Sequence, residues 1–449
     1  MQTKFRSVLG LLCLTGRLAA QETLSLPQAV QLALRQNKAL QASKSTVKGS
    51  EAHTRGARSG YYPTLNYNES ATRSNNPVFA FGSLLTQHQF GSENFQIGPL
   101  NRPNALDNFR SSLVAQQTLF NGGQTKHAIQ ASRILEQAAS VDVQRTETEV
   151  TYDAVRAYLD AVLSEAELKA AEEAVKSANA DLQRAENVHQ AGMSTDADVL
   201  SIRVHLARVK EQRIRRTADL AIARAALNDA LGQSLDEQYD LTTPLIRSSA
   251  NSDPLQAFEK QAQDKRPEQL RMKYASDLAS AQLARERSAL FPVISVQAAL
   301  EADRQTFVIR GGANWTVAAS LNWNLFNGFR DKEQIEEAHQ NLLSAKAAQE
   351  RMSSAVSLEV RRAWEEMQAA QERIVVSEVT VAQAQESLRI TQNRYQAGLS
   401  TVADLLRTEA ALLDSRTEYL SALHDQRIAT VQLDVAAGRL TADSASLKD

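Results

Sequence analysis

The feature that most constrains this chain is an internal duplication held at one offset. Leu119-Phe120-Asn121-Gly122 returns as Leu325-Phe326-Asn327-Gly328, and Arg156-Ala157-Tyr158 is echoed by Arg362-Ala363-Trp364. The segment HQAGMSTDADVL at 189–200 matches YQAGLSTVADLL at 395–406 in eight of twelve positions, and Gly232 pairs with Gly438. Every pair is 206 residues apart, so more than 110 residues run through both copies without an insertion. Self-similarity at a fixed offset marks one structural unit built twice. The preceding segments correspond at offset 229, with Asn37 against Arg266 and Pro63 of YYPTL against Pro292 of LFPVI. The first copy therefore carries 23 extra residues between Pro63 and Leu119. They fall in an Asn/Gly/Pro/Phe-rich stretch around 75–105 that reads as a long exposed loop.

Prolines stand at 27, 63, 77, 99, 103, 244, 254, 267 and 292, which leaves 104–243 and 293–449 proline-free. Both stretches are rich in Ala, Glu, Gln, Arg and Leu, the composition of long helices. Alternating steps of four and three from Val150 pass through Ala154, Ala157, Ala161, Ser164, Leu168, Ala171, Val175, Ala178, Leu182 and Ala185. Ten of those eleven positions are apolar, and the ladder recurs from Val356 to Leu388. A 3.5-residue period sustained this long predicts helices packed by knobs into holes, with alanines admitting close backbones. From Gly123 to His189 such a helix would run roughly 100 Å. It then turns at Ala191-Gly192 and returns to about Leu231; the second hairpin turns at Ala397-Gly398. No small globule buries a helix of that length, so it requires partner helices.

Four shorter stretches have period two. In 314–325, Trp315, Val317, Ala319, Leu321, Trp323 and Leu325 share one face, with Asn314, Thr316, Ala318, Ser320, Asn322 and Asn324 on the other. Its expected partner sets Ile294, Val296, Ala298 and Leu300 against Ser295, Gln297 and Glu301. The first-copy pair is weaker, with Leu65 and Tyr67 in one strand and Phe109, Leu113, Ala115 and Leu119 in the other. Strands of about ten residues with one apolar face suit a transmembrane β-barrel, and Tyr61, Tyr62, Phe120, Phe291 and Phe326 suit its interfacial girdle. They equally suit half-buried hairpins of a soluble domain. Four strands cannot close a conducting barrel, since about eight are needed even to hold a filled interior. A barrel would require several chains to pool their strands.

Composition narrows the function classes. A net charge of −2 and 5% aromatic residues imply no nucleic-acid surface, and 23% charged residues exclude a polytopic helical membrane protein. Lys4 and Arg6 precede an apolar run from Val8 to Leu14, followed by Ala19-Ala20, so residues 1–20 read as a secretory signal peptide. The single cysteine, Cys13, lies inside it, preceded by Leu12 where a lipid-anchoring site would want a small residue. The seven histidines show no ligand-like spacing and no nucleophile–base–acid arrangement is evident, so neither metal, cofactor nor catalysis is expected.

Taken together, signal peptide, short helix, hairpin, LFNGG, and a long helical hairpin turning at QAG, all then repeated, resemble the TolC family of outer membrane factors across nearly the whole mature chain. The resemblance implies a mainly α protein with a membrane β-barrel. Three chains would give four strands each to a twelve-stranded barrel continuous with a twelve-helix periplasmic α-barrel. Residues 21–232 would form the first repeat (β-hairpin about 62–120, helical hairpin 123–231) and 266–438 the second (about 292–326 and 329–437). Residues 233–265 would form an equatorial linker and 439–449 a tail. The homotrimer would be a passive exit duct in the outer membrane, joined through a periplasmic adaptor to an inner-membrane RND pump or ABC exporter. Trp315, Val317, Leu321 and Trp323 would face lipid. Gln190, Ala191, Gly192, Gln396, Ala397 and Gly398 would be the tips that meet the adaptor.

By position, the resemblance makes Asp404 an acid pointing into the closed lumen, and Asp198 and Tyr395 latch residues. Ser400 stands where well-studied members carry a latch arginine, and Arg407 where they carry a second lumenal acid. That implies a weaker latch and an Asp404/Arg407 pair. Both aspartates also sit just after a turn, where helix capping alone favours acids. A secreted coiled-coil scaffold or adaptor without channel activity is the competing class. It accounts for the heptads but not for the amphipathic strand pairs or the duplication around QAG.

Overall fold

The computed structural model describes residues 22–248, 253–309 and 311–447; the signal-peptide stretch lies outside them. Its elements are β1 (Glu22–Leu24), α1 (Leu26–Gln36), α2 (Lys38–Ala57), β2 (Thr64–Ser74), α3 (Pro77–Thr86), α4 (Ile97–Asn101), β3 (Leu106–Asn121), α5 (Gln124–Gln190) and α6 (Asp196–Leu231). Then follow β4 (Tyr239–Leu241), α7 (Leu255–Lys265), α8 (Pro267–Arg287), β5 (Val293–Arg304), β6 (Gly312–Asn322), α9 (Arg330–Gln396) and α10 (Val402–Ala436). The duplication survives in the element bounds. Helices α5 and α9 are 67 residues each and stand 206 apart at both ends; α1 and α7 are 11 residues each and stand 229 apart. The stretch 233–265, expected as a linker, thus contains a helical counterpart of α1.

Contacts divide the chain into two compact units, each drawn from both repeats. One comprises residues up to Gln41, Thr146–Ala262 and those from Ser357 onward. Every rung of both heptad ladders is buried or half-buried, and all but Val356 lie in this unit. Its core gathers Leu26, Val30, Ala154, Tyr158, Leu227 and Leu231 with Val431 and Leu440. Tyr158 ties the periphery to this core: its hydroxyl donates to Leu24 O at 2.8 Å and accepts from Thr243 N at 3.1 Å. Those bonds flank the parallel pairing of β1 with β4.

The other unit, Ala42–Arg145 and Gln263–Val356, holds an antiparallel sheet in the order β2-β3-β5-β6. Register places Leu65↔Ala115, Ala115↔Ala298 and Ala298↔Val317 in one row, and Tyr67↔Leu113, Leu113↔Leu300 and Leu300↔Trp315 in the next. One face is therefore apolar across all four strands. Toward the far end of that face Glu69 accepts from Tyr67 Oη at 2.7 Å, from Arg304 at 2.7 Å and from Ser111, so the apolar band stops there. A bulge between Thr118 and Phe120 shifts the register so that Phe120, not Leu119, pairs with Ile294. Bulges re-aim side chains in this way.

The 23-residue insertion departs from the exposed loop expected of it. Asn76 caps α3 by accepting from the amides of Val78 and Phe79, and Pro77 occupies the first turn where a missing N–H costs nothing. Phe81, Phe90 and Phe95 stack edge to face at 4.6 and 5.1 Å. The segment then docks on the polar face of the sheet. Buried Gln87 donates to Asn108 Oδ1 at 2.9 Å; Asn108 and Arg110 both donate to buried Asp303, at 2.6 and 3.0 Å. Buried polar groups demand partners, and this network supplies most of them, leaving Gln87 Oε1 and Asp303 Oδ2 without one among the described residues. A loop read from composition as solvated is instead folded against the sheet.

Candidate functional site

Each hairpin tip is built by the same local chemistry. Gly192 and Gly398 adopt φ of +74° and +73°, a left-handed conformation that glycine reaches without a Cβ penalty. Met193 N donates to Val188 O and Gly192 N to His189 O, with Leu399 N to Arg394 O and Gly398 N to Tyr395 O in the second copy. This is the Schellman pattern that closes a helix C-terminus. Gln190, Ala191, Gly192, Gln396, Ala397 and Gly398 are all exposed. So are Met193 (75%) and Leu399 (68%), which occupy the position where an apolar side chain commonly packs back on its helix. Their exposure was not evident from the sequence, because helix periodicity ends at the turn.

The return helices start with capping boxes. Thr195 Oγ1 accepts from Asp198 N at 3.2 Å and donates to Asp198 Oδ2 at 2.8 Å; Thr401 and Asp404 repeat this at 3.2 and 2.7 Å. Ser194 and Ser400 add their hydroxyls at 3.2 and 3.4 Å. The Thr195 hydroxyl, then its backbone N–H, hold the Asp198 carboxyl below its ordinary range despite some burial, and Thr401 does the same for Asp404. Arg407 lies 3.3 Å from Asp404. The acids thus occupy capping positions within their own hairpins, and Asp404 and Arg407 come together as a pair.

The two hairpins meet through Tyr395. It packs against Ala185, Val199, Ile202 and Val402. Burial, reinforced by Asp198 and Asp181, raises its phenol above the ordinary value. His189, its counterpart in the first copy, stays in its own tip, donating from Nδ1 to Ser194 O at 3.0 Å. Equivalent positions therefore do different things.

Farther from the tips lies a polar cluster that the sequence did not reveal. Asp181 of α5, His205 of α6 and Glu409 of α10 are all buried side chains, with His205 Nε2 at 3.3 Å from Glu409 and Arg184 at 3.0 Å from Asp181. Burial, then the adjacent Glu409 carboxyl, raise the Asp181 pKa to about 7. Burial pushes Glu409 up as well, but bonds from His205 and Asp181 outweigh it and leave Glu409 lowered. Asp181 and Glu409 thus titrate as one pair, the first shifted up and the second down. A second histidine, His424 of α10, reaches Asp160 of α5 at 2.8 Å and Asp425 at 3.1 Å. Burial opposes its protonation, yet these carboxylates raise its pKa. The one sequence signal was a change of residue type between copies: Ser387, Arg203 and Ala411 stand where Asp181, Glu409 and His205 have their counterparts.

Trp315, Val317 and Leu321 are exposed on the apolar sheet face; the strand expected to run to 325 ends at Asn322, so Trp323 lies just past it, exposed and donating to Leu290 O at 3.2 Å. Among the described residues no helix is long and apolar enough to cross a membrane, and no group of three or more potential ligands is placed to hold a metal. The described residues thus combine an exposed apolar sheet face with two long helical hairpins.

Known proteins share this arrangement. The family described as outer membrane efflux protein matches residues 29–233 and 259–439. The chain is 25% identical over 448 residues to the outer membrane efflux protein BepC of Brucella suis, covering 97% of this chain and 89% of that one. Its fold is similar to the Campylobacter jejuni CmeC outer membrane channel, with TM-score 0.80, 15% identity and coverage of 94% and 88%. It is also similar to the outer membrane protein VceC of Vibrio cholerae, with TM-score 0.77, 20% identity and coverage of 92% and 96%. The chain belongs to the outer membrane efflux protein family, the TolC-like exit ducts of the outer membrane with a long periplasmic helical portion.

Proposed function

We propose that three copies assemble into one passive duct, each giving four strands to a twelve-stranded barrel and two helical hairpins to a twelve-helix tube. The observation that carries this is the sheet's open edges. Among the described residues strands β2 and β6 each pair on one side only, and in a bilayer unpaired backbone groups cost several kcal/mol each, so a spanning sheet must close on itself. One chain has too few strands to do so. Exposed Ile214 and Ile222 on α6, with Val376 and Val379 on α9, offer apolar surface for neighbouring copies.

Each chain contributes the repeats 21–232 and 266–438, the intervening 233–265 region and the tail 439–449, after loss of residues 1–20. The QAG tips, with Met193 and Leu399 between them, dock a periplasmic adaptor that links the duct to an inner-membrane RND pump or ABC exporter. Asp198, Tyr395, Ser400, Asp404 and Arg407 ring the periplasmic mouth as its gate. Cargo passes without covalent change, and no cofactor takes part. The mass of the detergent-solubilised protein tests the assembly: three chains per particle is the expected result, and a single chain would overturn it.

A further inference from the structure

We propose that the groove between the end of α2 and the start of α5 binds the phosphate headgroup of an anionic lipid in the periplasmic leaflet of the outer membrane. The groove is about 350 Å³ and is lined by Arg58, Tyr61, Tyr62, Lys126, Gln130 and Arg133 over Ile129. Ile129 is buried and the other six are exposed. Among the described residues none of the three cations has a carboxylate within ion-pair distance. Cations nearby on the same unit do: Arg55 pairs with Glu51 and Arg271 with Asp142. Three unmatched positive charges around one concavity are complementary to a phosphate, and basic pockets beside membrane-spanning elements recognise such headgroups.

Position favours a lipid over a free anion. Tyr62 is two residues from the start of β2, whose exposed Leu65 and Tyr67 lie on the apolar sheet face. Helix α5 begins three residues after β3 ends. Lys126 and Arg133 are then about 3 and 14 Å along that helix. The headgroup layer is itself roughly 5–7 Å deep. Helical side chains lean toward the N-terminus, here toward the bilayer, and Arg133 lines the same groove as Arg58, Tyr61 and Tyr62. Tyrosines suit this depth because their rings accept the apolar boundary and their hydroxyls the wet one.

The second repeat supplies an internal contrast. At the equivalent positions stand Arg287, Leu290, Phe291, Lys332, Glu336 and His339. Lys332 has Glu333 at 3.9 Å, and Glu336 replaces Gln130. An anionic headgroup would meet an acid there, so the site belongs to the first repeat alone.

The assignment rests on the outer-membrane location and not on the number of chains in the duct. Its test is native mass spectrometry of the full chain in detergent, titrated with cardiolipin or with phosphatidylcholine, in the presence or absence of millimolar inorganic phosphate. One cardiolipin per chain should be retained in preference to phosphatidylcholine, and inorganic phosphate should not displace it. The combined Arg58→Gln, Lys126→Gln and Arg133→Gln variant should lose affinity on the order of a hundredfold, whereas Lys332→Gln should not. Each single exchange should cost roughly fivefold, which keeps the test valid if the triple variant folds poorly. Undiminished cardiolipin binding by the triple variant would overturn the proposal. Displacement by inorganic phosphate would overturn the lipid assignment in favour of a small-anion site.

Discussion

The two repeats have nearly the same backbone and different chemistry. Helices α5 and α9 match residue for residue in length, and both tips close with the same glycine turn and Thr–Asp capping box. Yet the first copy buries Asp181 where the second has Ser387, and turns His189 inward where the second sends Tyr395 across to its neighbour. Geometry that must repeat to make an even wall is kept, because a one-residue slip would move every rung of a heptad ladder. Side chains that join one hairpin to the other are free to diverge. The copies are therefore equivalent as wall and inequivalent as joint.

The largest expected difference between copies lies at Gly122 and Gly328, both left-handed at φ +63° and +70°. A Cβ on Gly122 would come within 2.6 Å of Ser288 O and 2.8 Å of Phe291 Cβ, whereas nothing lies within 4 Å at Gly328. Gly122→Ala should cost about 3 kcal/mol, combining backbone strain with overpacking. Gly328→Ala should cost about 1 kcal/mol from the backbone alone. Thermal unfolding followed by circular dichroism checks both, and equal losses would break the comparison. Next comes Tyr158, whose counterpart is Trp364. Tyr158→Phe strips one buried and one half-buried hydrogen bond and should cost about 2 kcal/mol, against little for Trp364→Phe.

A smaller effect concerns the joint between hairpins. The Asp181 pKa is raised from 3.8 to about 7, so its stabilising proton is fully held below the unfolded value and lost as pH climbs through about 7. His424 is also raised, and its contribution likewise disappears as pH rises past its elevated value. Both make the joint firmer in acid. Hydrogen exchange across residues 177–185 and 405–412, corrected for intrinsic rate, should be roughly tenfold faster at pH 8 than at pH 5.5. Asp181→Asn should flatten that dependence; an unchanged profile would remove Asp181 from the account. The smallest effect is expected at Phe329, which holds φ +68° where the first copy has Gly123, and which stacks on Phe326 at 5.4 Å. Phe329→Gly relieves strain but loses the ring pair, so stability should shift by less than about 1 kcal/mol.

Features governed by local or periodic rules were legible before the structure: the heptad rungs, the QAG turns, the LFNGG corner and the alternation of Trp315 to Leu321. Helix α7 was not, because a polar eleven-residue segment shows little period without its packing partner. The folding of residues 75–105 was hidden for another reason. Their glycines and prolines describe turns truthfully, while the anchor, Gln87 on Asn108, joins residues that carry no pattern. The Asp181–His205–Glu409 cluster is assembled from three helices, so only the change of residue type between copies hinted at it. Capping of Asp198 and Asp404 was foreseeable from Thr three positions earlier, but that rule alone does not separate a cap from a gate.

This sheet and these hairpins, closed by copies of the chain, should form a conducting passage. Single-channel recording of the purified protein in planar bilayers should show discrete conductance steps of one uniform size. A protein that inserts and retains its strand and helix content yet gives no discrete steps would contradict it.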